Sequence, residues 1–104
     1  MNAVQLLDAR VATAFFGRFS QLRPMQEKAI HEITGGQNIV LSASTGSGKT
    51  EAVVAPLVNQ LWKTAIETDS LVILYIAPTK ALVNDLEKRL YNPLAQLRMR
   101  LGIR

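Results

Sequence analysis

Cysteine is missing from this sequence, and its absence excludes several classes of protein. Without cysteine among 104 residues, neither a disulfide framework nor a cysteine-ligated metal site is possible. His31 is the only histidine, which removes most zinc chemistry as well. The longest strongly apolar run, residues 71–77, is too short to cross a bilayer, and the first ten residues lack the pattern of a secretory signal. We therefore expect a soluble, cytoplasmic protein without a membrane partner.

Charge is distributed unevenly along the chain. Residues 1–79 carry six basic and six acidic side chains, whereas residues 80–104 carry six basic and two acidic ones. The net charge of +4 therefore lies entirely in the last 25 residues. This asymmetry suits a polyanionic partner such as nucleic acid, and a solvated helix face is the alternative explanation.

The apolar pattern predicts an α/β domain with a parallel sheet and flanking helices. Helices are expected over residues 3–16, 24–33, about 49–65, from Thr79 to a break at Asn92-Pro93, and 93–101. Buried strands are expected over residues 38–42 and 71–77. Because two strands make a poor sheet, we interpret the sequence as a fragment. The core is expected to include the aromatic residues Trp62, Phe15, Phe16 and Phe19, and a base-stacking role is the alternative.

Residues 43–50 read Ala-Ser-Thr-Gly-Ser-Gly-Lys-Thr, between a predicted strand and a predicted helix. A P-loop needs this context, because small residues let backbone N–H groups face phosphate oxygens and the helix start adds its dipole. Lys49 would reach the β- and γ-phosphates, and the Thr50 hydroxyl would hold Mg²⁺. The candidate nucleotide-binding residues here are Ser44, Thr45, Gly46, Ser47, Gly48, Lys49, Thr50 and Glu51. A P-loop alone does not separate helicases from kinases, GTPases or transporters.

The residues around this loop resemble the DEAD/DEAH-box group of superfamily 2 helicases. Residues 43–52 are similar to motif I of that group, which also has a proline at the position of Pro56. Leu22-Arg-Pro-Met-Gln26 resembles the Q motif, whose glutamine reads adenine. A glutamine amide offers a donor and an acceptor together, which matches the N6/N7 edge of adenine. The resemblance implies ATP and Mg²⁺ as cofactors, Gln26 as an ATP-binding residue, and catalytic roles for Lys49 and Thr50.

Residues 75–86 resemble motif Ia, which contacts the sugar-phosphate backbone in this family. The implied nucleic-acid contacts are Pro78, Thr79 and Lys80; an N-cap threonine beside a solvated lysine is the alternative. DEAD-box proteins proper have Arg-Glu where this sequence has Lys80-Ala81. The form Pro-Thr-Lys-Ala-Leu is closer to large helicase-related (Lhr-like) and other DExH proteins, which favours DNA over RNA.

The resemblance implies that residues 1–104 are the amino-terminal part of a RecA-like, P-loop ATP-binding domain of an ATP-dependent helicase. Hydrolysis in the family needs an Asp-Glu pair, and none of Asp8, Asp69 and Asp85 precedes a glutamate. We therefore expect the fragment alone to be inactive in hydrolysis. The alternatives are a non-enzymatic nucleic-acid or partner-binding module, and another class of P-loop NTPase such as a kinase.

Overall fold

A computed structural model describes residues 2–17, 22–42 and 48–103 of the chain. Within these ranges the chain forms one short 3₁₀ helix and four α-helices. In chain order they are the 3₁₀ helix Ala3–Leu6, α1 Ala9–Phe16, α2 Pro24–Thr34, α3 Lys49–Thr68 and α4 Lys80–Gln96. α2 packs against α3 and the 3₁₀ helix, while α1 packs against α3 and α4. α3 is therefore the element that holds α1 and α2 together.

The single helix predicted over residues 3–16 is wrong, because the chain breaks before α1. The Asp8 carboxylate caps α1 by accepting a hydrogen bond from the N–H of Arg10 at 2.9 Å. Asn59 of α3 accepts a hydrogen bond from the Asp8 N–H at 2.6 Å and donates one to the Leu6 carbonyl at 3.4 Å. Apolar periodicity missed the break because it registers neither the Asp8 cap nor the contact with a side chain 51 residues away.

The prediction of a helix over residues 24–33 is confirmed by α2. Pro24 occupies its first turn, where the N–H that proline lacks would have no partner within the helix. At the other end Gly36 has φ 83°, and its N–H donates to the Ile33 carbonyl at 3.0 Å. The N–H of Gln37 reaches back to the Glu32 carbonyl at 3.1 Å, which closes the helix end.

The predicted third helix is confirmed and is a little longer than expected. α3 continues to Thr68, and Asp69, with φ 51°, ends it by donating its N–H to the Ala65 carbonyl at 2.9 Å. Pro56 lies inside this helix and is fully buried. Because proline has no N–H, the helix loses one backbone hydrogen bond there, and burial of the ring against the core offsets part of that cost.

The core lies among the helices, and α3 contributes most to it. The fully buried side chains of the core include Val11 of α1, Ile30 of α2 and Val58 of α3. Phe15, Phe16 and Trp62 are also buried in this cluster, which confirms the prediction that they are core residues. Phe19, for which the same prediction was made, lies outside the described residues.

α4 begins after Thr79 as expected, but the predicted break at Asn92-Pro93 is wrong, and so is the separate helix over 93–101. α4 runs through Pro93 to Gln96. Leu90 and Leu94 lie on one face of this last turn and are both buried, so core packing outweighs the single hydrogen bond lost at the proline. Arg98, with φ 60°, then ends the helix.

The structure does not confirm the two predicted strands. Residues 38–42 and 71–77 have no regular secondary structure, and no β-strand is formed in the ranges 2–17, 22–42 and 48–103. Val40 is 99% exposed, and Leu71 and Ile76 are each 82% exposed. A strand is stable only when neighbouring strands satisfy its backbone N–H and C=O groups, and these two segments do not pair with each other. The sequence pattern indicates segments suited to burial but supplies no pairing partner.

We also find that no helix of the described part of the chain has both the length and the apolar character needed to cross a membrane.

Candidate nucleotide-binding site

The start of α3 carries the described part of the predicted phosphate loop. Ser44, Thr45, Gly46 and Ser47 lie outside the described residues. Gly48 directly precedes the first turn of α3 and has φ 83° and ψ 25°, a left-handed conformation that favours glycine. Lys49, Thr50 and Glu51 then form the first turn of a 20-residue helix. The structure therefore places Gly48, Lys49, Thr50 and Glu51, the described phosphate-binding candidates, at a helix N-terminus.

A helix N-terminus is suited to anions, because its first backbone N–H groups have no carbonyl partner within the helix and its dipole is positive there. The side chains of Lys49 and Thr50 stand in this first turn, and both residues are half-buried. An ammonium group and a hydroxyl at this position are the groups that hold phosphate oxygens and a Mg²⁺ ion in a P-loop. The side chains of the first turn therefore fit the phosphates of a nucleoside triphosphate.

Gln26 of α2 lies against the end of the phosphate loop. Its side-chain Nε2 donates a hydrogen bond to the Gly48 carbonyl at 3.3 Å, and the Ala52 N–H donates to the same carbonyl at 3.1 Å. Its Oε1 accepts a hydrogen bond from the Arg23 N–H at 3.0 Å. With 9% exposure, Gln26 is the one buried polar residue among the described residues. The candidate for adenine recognition and the candidate phosphate loop are therefore in direct contact.

The bonds that Gln26 makes leave it capacity for a ligand. A glutamine amide has two N–H donors and two acceptor lone pairs, and the contacts to Gly48 and Arg23 use one of each. One donor and one acceptor remain, which is the number that the N6/N7 edge of adenine requires. The sequence predicted the base contact but not the bond to Gly48, because nothing in either segment signals that the two meet.

Glu51 has a partner that the sequence analysis missed. Arg89 of α4 lies with its Nη1 3.9 Å from Glu51 Oε1, and its Nε is 3.0 Å from Asp85 Oδ2. The spacing of four residues between Asp85 and Arg89 is a signal that the sequence does contain, since side chains so spaced meet on a helix. The approach of α4 to the first turn of α3 has no such local signal.

The three candidate nucleic-acid contacts lie together at the start of α4, and all are exposed. The Thr79 hydroxyl accepts a hydrogen bond from the Leu82 N–H at 3.2 Å and so caps the helix. A hydroxyl that accepts one bond can still donate its own proton to a phosphate oxygen. Lys80, nine residues before Arg89, lies roughly 14 Å from it along the helix axis. α4 therefore extends from Pro78 and Thr79 towards the first turn of α3.

Within the described ranges, no cluster of three or more histidine or acidic side chains could hold a metal ion. A Mg²⁺ ion at this site would depend on Thr50 and on oxygens of the nucleotide itself, as is usual for this ion.

Comparison with known proteins shows the family. The domain family described as DEAD/DEAH box helicase matches residues 23–103, which include α2, α3, α4 and the loop before α3. The chain belongs to the DEAD/DEAH box helicase family. Family membership implies a RecA-like P-loop fold and confirms the resemblance inferred from motif I, the Q motif and motif Ia.

Several DEAD/DEAH box relatives are similar over most of the chain. It is 35% identical over 96 residues to the ATP-dependent helicase Lhr-Core of Methanocaldococcus jannaschii, an alignment that covers 89% of this chain and 11% of that protein. It is 35% identical over 97 residues to the ATP-dependent helicase Lhr-Core protein 2 of Thermococcus barophilus, with 90% and 11% covered. These relatives confirm the predicted similarity to large helicase-related proteins.

A shorter match links the chain to a protein named as an RNA helicase. The probable ATP-dependent RNA helicase ddx27 of Dictyostelium discoideum is 42% identical over 64 residues, which cover 62% of this chain and 8% of that protein. This DEAD/DEAH box chain spans only about a tenth of the length of its Lhr-Core relatives. No solved structure matches it.

Proposed function

We propose that residues 1–104 are the amino-terminal, ATP-binding part of the RecA-like domain of an ATP-dependent helicase that acts on nucleic acid. The observation that carries the proposal is the contact between Gln26 and Gly48, because it brings a buried amide with spare hydrogen-bonding capacity to the first turn of α3. Membership of the DEAD/DEAH box family and the names of the Lhr-Core relatives support the same function. A cytoplasmic location is part of the same proposal.

In this proposal the phosphates of ATP bind at residues 44–50. Backbone N–H groups of the loop and of the first turn of α3 donate to the phosphate oxygens, and Lys49 supplies a positive charge to the β- and γ-phosphates. Thr50 would hold Mg²⁺ through its hydroxyl, and a bound Mg²⁺ would supply positive charge next to the phosphates. Glu51 follows within the same turn and lies at the edge of the site.

Gln26 selects the base in this proposal. Its second N–H and its second lone pair would pair with the adenine edge, while its bond to Gly48 holds the amide plane in place. A guanine presents an acceptor where adenine presents the N6 donor, so the same amide orientation does not fit it. Recognition of ATP over GTP then follows from the direction in which α2 and Gly48 hold the amide.

Nucleic acid would bind at the start of α4. Pro78, Thr79 and Lys80 are exposed there, and Thr79 and Lys80 offer a hydroxyl and an ammonium group suited to a sugar-phosphate backbone. The basic excess of residues 80–104 adds affinity that does not depend on base sequence. The Pro-Thr-Lys-Ala-Leu form of motif Ia favours DNA over RNA as the substrate.

The proposed domain also includes a parallel sheet built from residues 38–42 and 71–77 together with further strands. The side chains of Leu71, Leu74 and Ile76 are at least 74% exposed, which is unusual for a run of large apolar residues. A groove of about 1080 Å³ lies between this segment, α3 and α4. Strands inserted beside residues 71–77 would bury these side chains and satisfy the backbone, which supports the proposed RecA-like sheet.

The test is nucleotide binding by the complete gene product. We expect a fluorescent ATP analogue to bind in the presence of Mg²⁺, and Lys49→Ala to weaken binding by at least about tenfold, the loss expected for a charge-assisted hydrogen bond to a phosphate. Lys63→Ala, which removes an exposed ammonium group from the same helix, is the matched control. Equal affinity of wild type and Lys49→Ala would contradict the proposal. Binding without any nucleic-acid-stimulated hydrolysis would favour a binding module.

A further inference from the structure

Arg89, Glu51 and Asp85 form a charged network between α3 and α4. Arg89 bridges the two carboxylates, at 3.9 Å from Glu51 and 3.0 Å from Asp85. Glu51 belongs to α3 and Asp85 belongs to α4, so the network joins these two helices. The three side chains are partly exposed, at 40% for Arg89, 25% for Glu51 and 55% for Asp85.

Glu51 places a negative charge beside the proposed phosphate site. It lies in the first turn of α3, directly after Lys49 and Thr50. A carboxylate there interacts favourably with the helix dipole, but it also repels the phosphates of a nucleotide and competes with them for Lys49. A cation beside Glu51 reduces that conflict, because it offsets the carboxylate charge and attracts the side chain towards α4.

We propose that Arg89 is a positioning residue that holds Glu51 on the α4 side of α3 and so leaves the first turn of α3 available to nucleotide phosphates. This inference rests on the proposed ATP-binding function. Arg89 need not touch the nucleotide: it acts through Glu51. Asp85 orients the guanidinium from the same helix, since its Oδ2 engages Nε and leaves Nη1 directed towards Glu51.

The network also gives the two proposed sites a physical connection. α4 carries Thr79 and Lys80 in its first turn and Arg89 about two and a half turns later. α4 therefore carries residues of the proposed nucleic-acid site and also the arginine that contacts Glu51.

A charge cycle on the complete gene product tests the role of Arg89. We expect Arg89→Gln to weaken Mg²⁺-ATP binding by about two- to fivefold at low salt, the range that partly exposed ion pairs support. In a Glu51→Gln background the same substitution should change affinity by less than about 1.5-fold, because the carboxylate that Arg89 offsets is gone. At 0.5 M salt the effect should shrink, since screening acts on charges exposed to this extent.

Two further variants separate this role from a change in folding or overall charge. Lys28→Gln removes one positive charge from an exposed site on α2 and should leave ATP affinity unchanged. Arg89→Met keeps the aliphatic stem of the side chain, so it replaces Arg89→Gln in the cycle if that protein does not fold. Thermal denaturation of each variant shows whether an affinity change follows from loss of structure.

Arg89→Gln with wild-type affinity, or with the same loss in the Glu51→Gln background, would overturn the proposal. The first result means that the network has no effect on the loop, and the second means that Arg89 acts without Glu51. Failure of the ATP-binding function itself has a different signature, in which wild type and Lys49→Ala bind the nucleotide equally poorly.

Discussion

The side-chain amide of Gln26 donates a hydrogen bond to the Gly48 carbonyl at 3.3 Å, across 22 residues of sequence. The contact is tight, because a Cβ atom added to Gly48 would collide with that amide. Gly48 therefore has two reasons to be glycine: its φ of 83° and the absence of space for a side chain. Through this contact α2 packs directly against the residue that precedes α3.

Replacing Gly48 by alanine tests that relationship. Gly48→Ala introduces backbone strain and also a collision with the Gln26 side chain. We therefore expect the free energy of unfolding to fall and ATP binding to be lost. The backbone strain of a left-handed alanine is worth roughly 1–2 kcal/mol. The Cβ atom would also displace the Gln26 amide, which ends a flexible side chain, so the added cost is about 0.5–1.5 kcal/mol, the net worth of its lost hydrogen bond to Gly48. Chemical denaturation and nucleotide titration measure the two effects.

Gly36→Ala is the matched control for this substitution. Gly36 also has φ 83°, but among the described residues a Cβ atom there would meet no heavy atom within 4 Å. Gly36→Ala should therefore lower the free energy of unfolding by the backbone strain alone, and ATP binding should be retained. Equal destabilisation by the two alanines would mean that the contact with Gln26 adds nothing.

Substitution of Gln26 tests base recognition. We expect Gln26→Ala in the complete gene product to weaken the binding of ATP more than the binding of GTP, because the lost hydrogen bonds are specific to the adenine edge. The difference should be about 1–3 kcal/mol in a desolvated site. Both nucleotides should also lose some affinity through the broken bond to Gly48.

Gln60→Ala provides the control for Gln26→Ala. The Gln60 amide also joins α3 to α2, with Nε2 donating to the Ile33 carbonyl at 3.4 Å, but at the far end of α2. It should leave the ratio of ATP to GTP affinity as in the wild type. An equal loss for ATP and GTP in Gln26→Ala would exclude the base-reading role.

The hydrogen bonds of Asn59 at the break before α1 allow a stability prediction that does not involve the nucleotide site. Asn59→Ala removes the hydrogen bonds to the Asp8 N–H and the Leu6 carbonyl, which lie on either side of the break. We expect the free energy of unfolding to fall by about 0.5–1.5 kcal/mol, the net worth of a typical hydrogen bond, because water can reach the exposed Asp8 N–H once Asn59 is removed. Asn84→Ala on the exposed surface of α4 should cost less than about 0.5 kcal/mol. Denaturant titration of both variants makes the comparison, and equal midpoints would contradict it.

The 104-residue chain by itself should not hydrolyse ATP. The first turn of α3 can hold phosphates and a Thr50-bound Mg²⁺, but no Asp-Glu pair occurs in the sequence to complete the metal shell or orient water. Loss of an arginine finger alone costs roughly 10³–10⁵ in rate in related NTPases. A phosphate-release assay with single-stranded DNA or RNA, beside Lys49→Ala, measures this. Nucleic-acid-stimulated turnover well above that variant would show the expectation to be mistaken.

Much of the candidate site could be inferred from contiguous segments of sequence. The start of α2 at Pro24 could be predicted from neighbouring residues, because glycine, proline and helix-capping side chains act over one or two turns. The prediction of a phosphate loop at residues 43–50 uses the same kind of local signal. The Thr79 N-cap is local in the same way. Family membership followed from such motifs and was confirmed by the match over residues 23–103.

Other features required the tertiary structure, since they join residues far apart in the chain. Asn59 stabilises the break before α1, and burial of Leu90 and Leu94 carries α4 through Pro93. At Pro93 local preference favoured a break and core packing prevailed, whereas the break before α1 also has a local signal, the Asp8 N-cap, which apolar spacing does not register. The contacts of Gln26 with Gly48 and of Arg89 with Glu51 arise in the same way, where helices meet. Apolar spacing gives the face that a helix buries, but which side chains meet across that face depends on how the whole core packs.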